Sequence, residues 1–272
     1  MAEHVKILDG RELAGFIKER QATQVRGLPQ VEGSSRRPCL LIIRDSDNPV
    51  IVKYVQLKKR YGEDIGVSVI DYKATNTDDI RARILAANED DEIDGIILQL
   101  PIMEKDLTEE LTGLIAASKD VDGLSSNGDY DSATATAILW LLSGYGVELP
   151  SAHIALVGRG KLVGAPLFKM FTESGYVVEM FHRGSELSRL KDFDVIISAT
   201  GQPGLIVNEY VSAGAVVVDA GTASEDGVIR GDVADEVRER TDLKAITPVI
   251  GGVGPLTITC LFDHVLQAFL KK

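Results

Sequence analysis

The sequence lacks several features that would assign a protein to a functional class at once. It has only two cysteines, Cys39 and Cys260, which lie far apart in apolar runs, so neither a zinc site nor a redox pair is expected. No cluster of lysine and arginine offsets the formal net charge of -12, which comes from 41 acidic and 29 basic residues. A field of that sign repels nucleic-acid phosphates and anionic membranes. We therefore expect no nucleic-acid partner, no membrane partner and two buried, reduced thiols.

Long apolar stretches are also missing. Residues 1–10 have no apolar core of the kind that signal peptides carry. No window approaches the roughly 18 uninterrupted apolar residues of a membrane span. The four histidines show no metal-ligand spacing, so we assign no metal. These features predict a soluble, cytoplasmic protein.

What the sequence does contain is the alternation typical of an α/β protein. Its 272 residues are enough for about two domains of roughly 150 residues each. Short β-branched runs alternate with amphipathic segments, which predicts parallel sheets covered by helices. The predicted strands are 39–43, 67–71, 95–100, 153–157, 176–181, 195–199, 215–219 and 245–247. The predicted helices are 50–61, 77–88, 108–116, 163–174, 208–212 and 256–270.

A boundary between two domains is predicted near residue 146, where residues 143–150 separate the end of a helix from a new strand. We predict two α/β domains flanking a cleft, one of residues 1–145 and one of residues 146–255. The second has the pattern of a Rossmann-type dinucleotide-binding domain. The C-terminal segment, 256–272, is expected to form a helix that returns to the first domain. A cleft between domains is a common ligand site.

A glycine-rich turn follows the first strand of the second domain. Residues 158–164 read Gly-Arg-Gly-Lys-Leu-Val-Gly, a strand–turn–helix pattern with one residue more than the usual dinucleotide fingerprint. In that pattern Gly158 permits a tight turn, Gly160 lets a pyrophosphate approach the backbone, and Gly164 allows close packing of the helix. The N–H groups at the start of the helix would then face the phosphates.

The end of the next predicted strand favours NADP over NAD. NAD-binding domains usually carry Asp or Glu there, which holds the ribose 2′-hydroxyl. Here Phe181 is followed by His182 and Arg183, and Glu179 lies inside the strand. Arginine pairs with phosphate bidentately, so Arg159 and Arg183 are suited to a 2′-phosphate. The predicted cofactor-binding residues are Gly158, Arg159, Gly160, Gly164, His182 and Arg183.

Polar residues in the first domain follow helices and strands at positions where ligands bind. Asn48 and Pro49 begin a helix on which Tyr54 and Lys58, four residues apart, share one face. Gln99 stands at the carboxyl end of a buried strand, and residues 119–123, Lys-Asp-Val-Asp-Gly, put two carboxylates in a turn. Before the last helix, residues 247–257 contain three glycines and two prolines, which suggests close approach to a ligand.

Taken in order, these motifs resemble those of the bifunctional methylenetetrahydrofolate dehydrogenase/methenyltetrahydrofolate cyclohydrolase family. The matching segments are Tyr54-x-x-x-Lys58, 95–101, 119–123, 158–166 and 251–257, so the resemblance covers essentially the whole chain. It implies oxidation of 5,10-methylenetetrahydrofolate by NADP and then hydrolysis to 10-formyltetrahydrofolate. These steps belong to one-carbon metabolism, which serves purine and amino-acid biosynthesis. The resemblance also implies a homodimer, with residues 1–145 binding the folate and residues 146–255 binding NADP.

The same resemblance assigns roles to individual residues. Lys58 would be the catalytic group, Gln99 its hydrogen-bonding partner, and Asp122 the group that holds the pterin. Tyr54 would stack on the folate. The predicted substrate-binding residues are Tyr54, Gly252 and Pro255. A lysine serves as a base near neutral pH only if desolvation or nearby positive charge lowers its pKa, so the environment of Lys58 decides its role.

Several positions depart from the family pattern, and they leave two other functions open. Ile51 and Gly160 each stand where the family has a serine, and Ile250 stands where it has a proline. Ile102-Met103 replaces Leu-Pro, and Ser132–Ala135 replaces Pro-Cys-Thr-Pro. One alternative is an NADP-dependent dehydrogenase of another small substrate, which would not need Lys58, Gln99 and Asp122 together. The other is a non-catalytic NADP-binding regulatory protein, which the departures favour and those three residues oppose.

Overall fold

The structure is a computed structural model that describes residues 4–28, 36–221, 223–225 and 228–272. The chain forms two compact units. The three-stranded unit comprises Gly15–Ala133 and Ile258–Lys272, and the six-stranded unit comprises the residues up to Ala14 together with Thr134–Thr257. These limits differ from the predicted boundary at 145 and 146, and the extent of the two functional domains stays a prediction.

The helices and strands follow one another along the chain as the alternating pattern predicts. In chain order they are β1 Lys6–Ile7, α1 Gly10–Arg26, β2 Cys39–Arg44, α2 Pro49–Ile65, β3 Ser68–Lys73, α3 Thr77–Asn88, β4 Gly95–Leu98, α4 Thr108–Gly113, α5 Ala133–Gly144, β5 His153–Val157, α6 Gly164–Glu173, β6 Val177–Phe181, β7 Val195–Ser198, β8 Val216–Asp219, β9 Ala223–Glu225, β10 Val228–Arg230, α7 Asp235–Arg238, β11 Ala245–Ile246 and α8 Val253–Leu270. Short 3₁₀ helices cover Lys105–Leu107, Ala117–Lys119, Leu187–Asp192 and Asn208–Tyr210.

The three-stranded unit is built on a parallel sheet of order β3-β2-β4. Its central strand β2 is apolar along almost its whole length and is buried on both faces, as expected for a parallel sheet covered by helices. The helix α2 begins where the sequence predicts, because the Asn48 side chain accepts a hydrogen bond from Val50 N at 2.9 Å and Pro49 occupies the first turn.

The six-stranded unit contains a parallel sheet of order β1-β11-β8-β7-β5-β6. β5 lies between β6 and β7, so the chain reverses its direction of winding at β5. In open α/β sheets this switch point, at the carboxyl ends of the strands, is where ligands bind. The fold therefore confirms the predicted α/β class with a Rossmann-type second domain.

Two predicted features need correction. Residues 208–212 form only a short 3₁₀ helix, Asn208–Tyr210. The last helix begins at Val253 and not at residue 256, so Gly254 and Pro255 lie in its first turn and not in a loop. Proline is tolerated there because the N–H groups of the first turn have no partner within the helix. The strand β1, the helices α1 and α7 and the β9–β10 hairpin were not predicted, and α5 was predicted only by its end near residue 143.

One helix in the described part of the chain, α8, is long and apolar enough to cross a membrane by length and composition. More than half of it, 56%, is buried inside the protein. Within the three-stranded unit, Gln21 Nε2 donates to the Thr259 carbonyl oxygen of α8 at 3.0 Å. This burial and this hydrogen bond are typical of an apolar helix in the core of a protein.

Candidate active site

The side chains of Lys58 and Gln99 meet at the carboxyl end of β4. Lys58 Nζ donates to Gln99 Oε1 at 2.6 Å. The Gln99 amide has a defined orientation, because its Nε2 donates to the Leu100 carbonyl oxygen at 3.1 Å. Its backbone continues the sheet, with Gln99 N donating to the Ile43 carbonyl oxygen at 2.8 Å. The predicted partnership of these two side chains is therefore present in the geometry.

Lys58 and Asp122 influence each other's ionisation. Desolvation lowers the pKa of Lys58 below its usual value, and the negative charge of Asp122 opposes that shift. Desolvation also raises the pKa of Asp122, which the charge of Lys58 opposes and that of Asp120 reinforces. Each group therefore takes its uncharged form more readily than it does in water. A lysine in this setting can give up its proton closer to neutral pH than a free lysine can.

The helix that carries Lys58 is anchored one turn further along, at Tyr61. Tyr61 stacks on Phe262 of α8 with ring centroids 5.0 Å apart, and its hydroxyl donates to Gln21 Oε1 at 2.8 Å. Desolvation raises the pKa of Tyr61 to about 12, so the phenol stays protonated as a donor. α2 is therefore fixed against two helices on the side away from solvent. Tyr54 lies one turn before Lys58 on the same helix and is half-buried.

The Lys-Asp-Val-Asp-Gly turn has a lysine with a structural role. Lys119 is buried, and its Nζ donates to the carbonyl oxygens of Ala87, Asn88 and Asp90 at 2.8, 2.9 and 2.8 Å. Lys119 therefore caps the end of α3, where helix carbonyls lack partners. On the other side of the turn, His264 Nδ1 lies 2.9 Å from the Val121 carbonyl oxygen. Asp122 follows directly, so both contacts fix the backbone that presents it.

Gly252 and Pro255 lie in the six-stranded unit. The segment around Gly252 packs directly on the start of α1. Gly10 N donates to the Gly251 carbonyl oxygen at 2.8 Å, and a Cβ on Gly10 would lie only 1.8 Å from the Gly252 carbonyl oxygen. Close packing within the protein thus accounts for part of this glycine-rich segment, and its contact with folate stays a prediction.

A pocket of about 390 Å³ lies at the switch point of the six-stranded sheet. Five of the six predicted cofactor-binding residues line it, namely Gly158, Arg159, Gly160, His182 and Arg183. Thr200 and Gln202, from the turn after β7, form another part of its wall. This volume lies within the range of small-molecule sites. The predicted cofactor residues are therefore gathered around one pocket.

The three glycines of the turn have different surroundings. Gly158 has a φ of 109°, and a Cβ there would lie 2.6 Å from the Ala199 carbonyl oxygen. Gly164, the sixth predicted cofactor residue, is buried below the turn, and a Cβ on it would lie 1.9 Å from the Gly158 carbonyl oxygen. Gly160 has no protein atom within 4 Å of the Cβ position. Packing within the protein explains Gly158 and Gly164, whereas Gly160 faces space that a ligand can fill.

The tip of β6 presents cationic and neutral groups to the pocket. Glu179, the one carboxylate of β6, is paired with Arg189, whose Nη1 and Nη2 donate to Oε1 and Oε2 at 2.8 and 3.0 Å. His182 N donates to Ser185 Oγ at 3.0 Å, closing the turn that carries Arg183. The carboxylate of Glu179 is therefore paired with Arg189. The residues at the strand tip, His182 and Arg183, suit the phosphate of NADP better than the ribose hydroxyl of NAD.

Sequence reasoning missed two buried aspartates of the six-stranded unit, Asp219 and Asp232. Asp232 is fully buried, and Asp219 is 9% exposed. Asp219 is the last residue of β8 and Asp232 lies just after β10, but most of their partners lie in other segments, so no local motif marks them. In the described part of the chain, no group of three or more His, Cys, Asp or Glu side chains could hold a metal ion.

The features of the two units are those of a dinucleotide-dependent enzyme that also carries a half-buried lysine whose pKa is lowered by desolvation. Residues 8–122 match the model of the tetrahydrofolate dehydrogenase/cyclohydrolase catalytic domain, and residues 132–272 match that of the NAD(P)-binding domain of the same family. The chain therefore belongs to the tetrahydrofolate dehydrogenase/cyclohydrolase family, which confirms the resemblance and a dinucleotide cofactor.

Individual relatives match along almost the whole chain. The bifunctional protein FolD of Staphylococcus saprophyticus is 35% identical over 279 residues, covering 97% of this chain and 96% of the relative. The crystal structure of the bifunctional FolD of Campylobacter jejuni has a TM-score of 0.90 and 30% identity, covering 98% of this chain and 99% of that one. The Trypanosoma brucei enzyme, complexed with NADP cofactor and inhibitor, has a TM-score of 0.89 and 28% identity, covering 99% and 98%.

Proposed function

We propose that this protein oxidises 5,10-methylenetetrahydrofolate with NADP and hydrolyses the methenyl product to 10-formyltetrahydrofolate. The observation that carries the proposal is the contact of 2.6 Å between Lys58 Nζ and Gln99 Oε1, made by a lysine whose pKa is lowered by desolvation. A lysine whose pKa is lowered in this way is suited to the proton transfer that the hydrolysis needs. The Campylobacter jejuni and Trypanosoma brucei enzymes named above carry the same two activities, dehydrogenase and cyclohydrolase, in their names.

In the oxidation, the chain positions its reactants. Gly160 leaves room for the pyrophosphate, and Arg159 and Arg183 provide charge for a 2′-phosphate. His182 lines the same pocket. When bound, NADP supplies the hydride acceptor. The folate cation that forms is delocalised over two nitrogens, so alignment matters more than a strong base.

In the hydrolysis, Lys58 would act as the acid–base group. Its neutral amine takes a proton from the water whose oxygen bonds to the methenyl carbon, and the proton is returned to the folate nitrogen when the carbon–nitrogen bond breaks. Gln99 Oε1 accepts from Nζ and so aims the amine. Asp122 would hold the pterin by accepting its N–H groups, and Tyr54, one turn before Lys58, would stack on the folate. Gly252 and Pro255 complete the proposed folate contacts.

The proposal extends to the organisation of the protein. Residues 1–145, with 256–272, would be the folate-binding catalytic domain, and residues 146–255 the NADP-binding domain. The protein would be a cytoplasmic homodimer that binds neither nucleic acid nor membrane. A dehydrogenase of another substrate and a non-catalytic regulatory protein are both disfavoured, because Lys58 contacts Gln99 and interacts electrostatically with Asp122, and neither alternative needs these three residues together.

Two assays on the purified protein test the proposal. The first follows NADPH formation from methylenetetrahydrofolate, with NAD in place of NADP as the comparison. The second follows the loss of methenyltetrahydrofolate in the absence of any dinucleotide. We expect turnover in both assays and a preference for NADP in the first. A protein that binds NADP but turns over neither folate would be the regulatory alternative.

A further inference from the structure

A fully buried carboxylate, Asp232, holds the turn that follows β7. Its Oδ2 accepts hydrogen bonds from Ser198 Oγ at 2.7 Å and from Thr200 N at 2.6 Å, and its Oδ1 accepts from Gln202 N at 2.9 Å. Three donors from one five-residue segment therefore converge on a single side chain. Hydrogen bonds to an ionised acceptor are stronger than neutral ones, so the carboxylate fixes the course of this segment.

The segment held by Asp232 is part of the wall of the dinucleotide pocket. Thr200 and Gln202 both line that pocket, beside the predicted cofactor residues. A second contact closes the same turn, since Gln202 N also lies within 3.1 Å of Thr200 Oγ1. Asp232 itself is not among the residues that line the pocket. It therefore touches the backbone behind the wall and acts on the pocket only through that backbone.

A second aspartate holds Asp232 in place. Asp219 Oδ1 accepts from Asp232 N at 3.1 Å, and Oδ2 accepts from Val233 N at 3.0 Å. Arg238 forms an ion pair with Asp219 Oδ2, and its Nη1 donates to the Thr247 carbonyl oxygen at 2.7 Å. The carboxyl ends of β7, β8 and β11 are thereby joined through two carboxylates and one guanidinium.

Two glycines make room for these carboxylates. A Cβ on Gly221 would lie 2.1 Å from Asp232 Cγ, and a Cβ on Gly231 would lie 2.0 Å from Asp219 Oδ2. Burying a charged group is unfavourable unless donors compensate it, and a packed apolar side chain is often at least as stabilising. Glycine is therefore needed at two positions to leave room for the buried carboxylates. The donors that compensate Asp232 belong to the pocket wall.

We propose that Asp232 is a positioning residue of the cofactor pocket, which keeps the turn from Thr200 to Gln202 in the shape that the dinucleotide meets. The inference rests on the proposed function, because it takes this pocket as the NADP site. It predicts that damage at Asp232 weakens NADP binding and dehydrogenase turnover. Hydrolysis of methenyltetrahydrofolate, which uses no dinucleotide, should be spared.

The test is the variant Asp232→Asn, in which an amide N–H₂ replaces one acceptor oxygen and faces a backbone N–H. The matched control is Asp194→Asn. Asp194 also accepts a backbone N–H, from His153 N at 2.8 Å, but it lies at the amino end of the same sheet, opposite the pocket. For each protein we would measure the Kd of NADP by calorimetry, methenyltetrahydrofolate hydrolysis without dinucleotide, and the thermal midpoint.

We expect the Kd of NADP to rise about 10- to 100-fold in Asp232→Asn, as small misplacements of binding groups can cause, while hydrolysis stays at the parent rate. Asp194→Asn should bind NADP as the parent does. An unchanged Kd in Asp232→Asn overturns the inference, and so does a parallel loss of NADP binding and hydrolysis, which would mean a purely structural role.

A milder variant covers the case in which Asp232→Asn does not fold. Ser198→Ala removes one of the three donors and leaves the backbone donors in place. It should raise the Kd of NADP by a smaller factor with hydrolysis intact, and an unchanged Kd there overturns the inference. If the parent protein itself binds no NADP, the proposed function fails first, and the two failures are thus distinguished.

Discussion

Replacing Lys58 by methionine separates the two proposed activities. Methionine keeps the length and the apolar stem of the side chain, so packing along α2 changes little. It removes the amine that donates to Gln99 Oε1 at 2.6 Å. Loss of a positioned acid–base group slows a reaction by about 10²- to 10⁴-fold. At 1.36 kcal/mol for each factor of ten, this raises the barrier of hydrolysis by about 2.7 to 5.4 kcal/mol.

Lys58→Arg is the informative companion. Arginine keeps the positive charge and can donate to Gln99, but guanidinium does not lose a proton in the accessible pH range. We therefore expect Lys58→Arg not to restore hydrolysis. Dehydrogenase turnover should fall less than hydrolysis in both variants, because hydride transfer needs alignment and no obligatory proton-transfer group. NADP binding should be retained, since the predicted cofactor residues lie in the other unit.

The pH dependence of hydrolysis has a definite sign. Because desolvation lowers the pKa of Lys58 below the usual 10.5, the neutral amine becomes available as pH rises through that lowered value. The parent rate should therefore increase with pH and level off below pH 10.5. The residual rate of Lys58→Met should lack this inflection.

The assay follows the loss of methenyltetrahydrofolate over a range of pH, with NADP binding as the measure of intact folding. If Lys58→Met hydrolyses at the parent rate, the role of Lys58 is wrongly assigned. If Lys58→Arg matches the parent, the charge of the lysine matters and its proton transfer does not.

Three further predictions concern the cofactor turn, its charge and the acid stability of the fold. Gly160→Ala should fold normally, since its Cβ meets no protein atom, yet it should raise the KM of NADP. Gly164→Ala should lower the thermal midpoint, because its Cβ would meet the Gly158 carbonyl oxygen. Equal thermal midpoints of the two variants would contradict this. Arg159→Ala should weaken NADP much more than NAD, and equal losses in the two KM values would refute a 2′-phosphate contact. His264 is buried, and desolvation lowers its pKa below 6.5. Its neutral form therefore stabilises the fold above about pH 6.5, and that stability is lost as pH falls through the lowered pKa. Urea unfolding at two pH values should show a smaller loss on acidification in His264→Gln than in the parent.

Local signals in the sequence account for much of the fold. The helix α3, Thr77–Asn88, has the predicted bounds, because Asn76 caps its start by accepting from Asp79 N at 2.9 Å. The strand β5, His153–Val157, also has the predicted bounds, since its apolar run is buried in the middle of a sheet. By contrast, β1 is only two residues long and exists through pairing with β11, at the far end of the chain.

The site could be predicted only where residues close in sequence share a function. The glycine turn at 158–164 is one segment, and its three glycines could be interpreted without other parts of the chain. Lys58 and Gln99 are 41 residues apart, so their contact followed from the family resemblance and not from spacing. Asp232 finds its three partners 30 to 34 residues away. Nothing near Asp232 in sequence indicates them.

The most direct test of the central claim is one reaction of the parent protein with methylenetetrahydrofolate and NADP in water enriched in oxygen-18. We expect NADPH and 10-formyltetrahydrofolate to appear in equal amounts, with the heavy oxygen in the formyl group. This outcome requires an oxidation followed by a hydrolysis, and slower formation of the formyl product with Lys58→Met assigns the hydrolysis to the chain. NADPH without a labelled formyl product, or no NADPH at all, would contradict it.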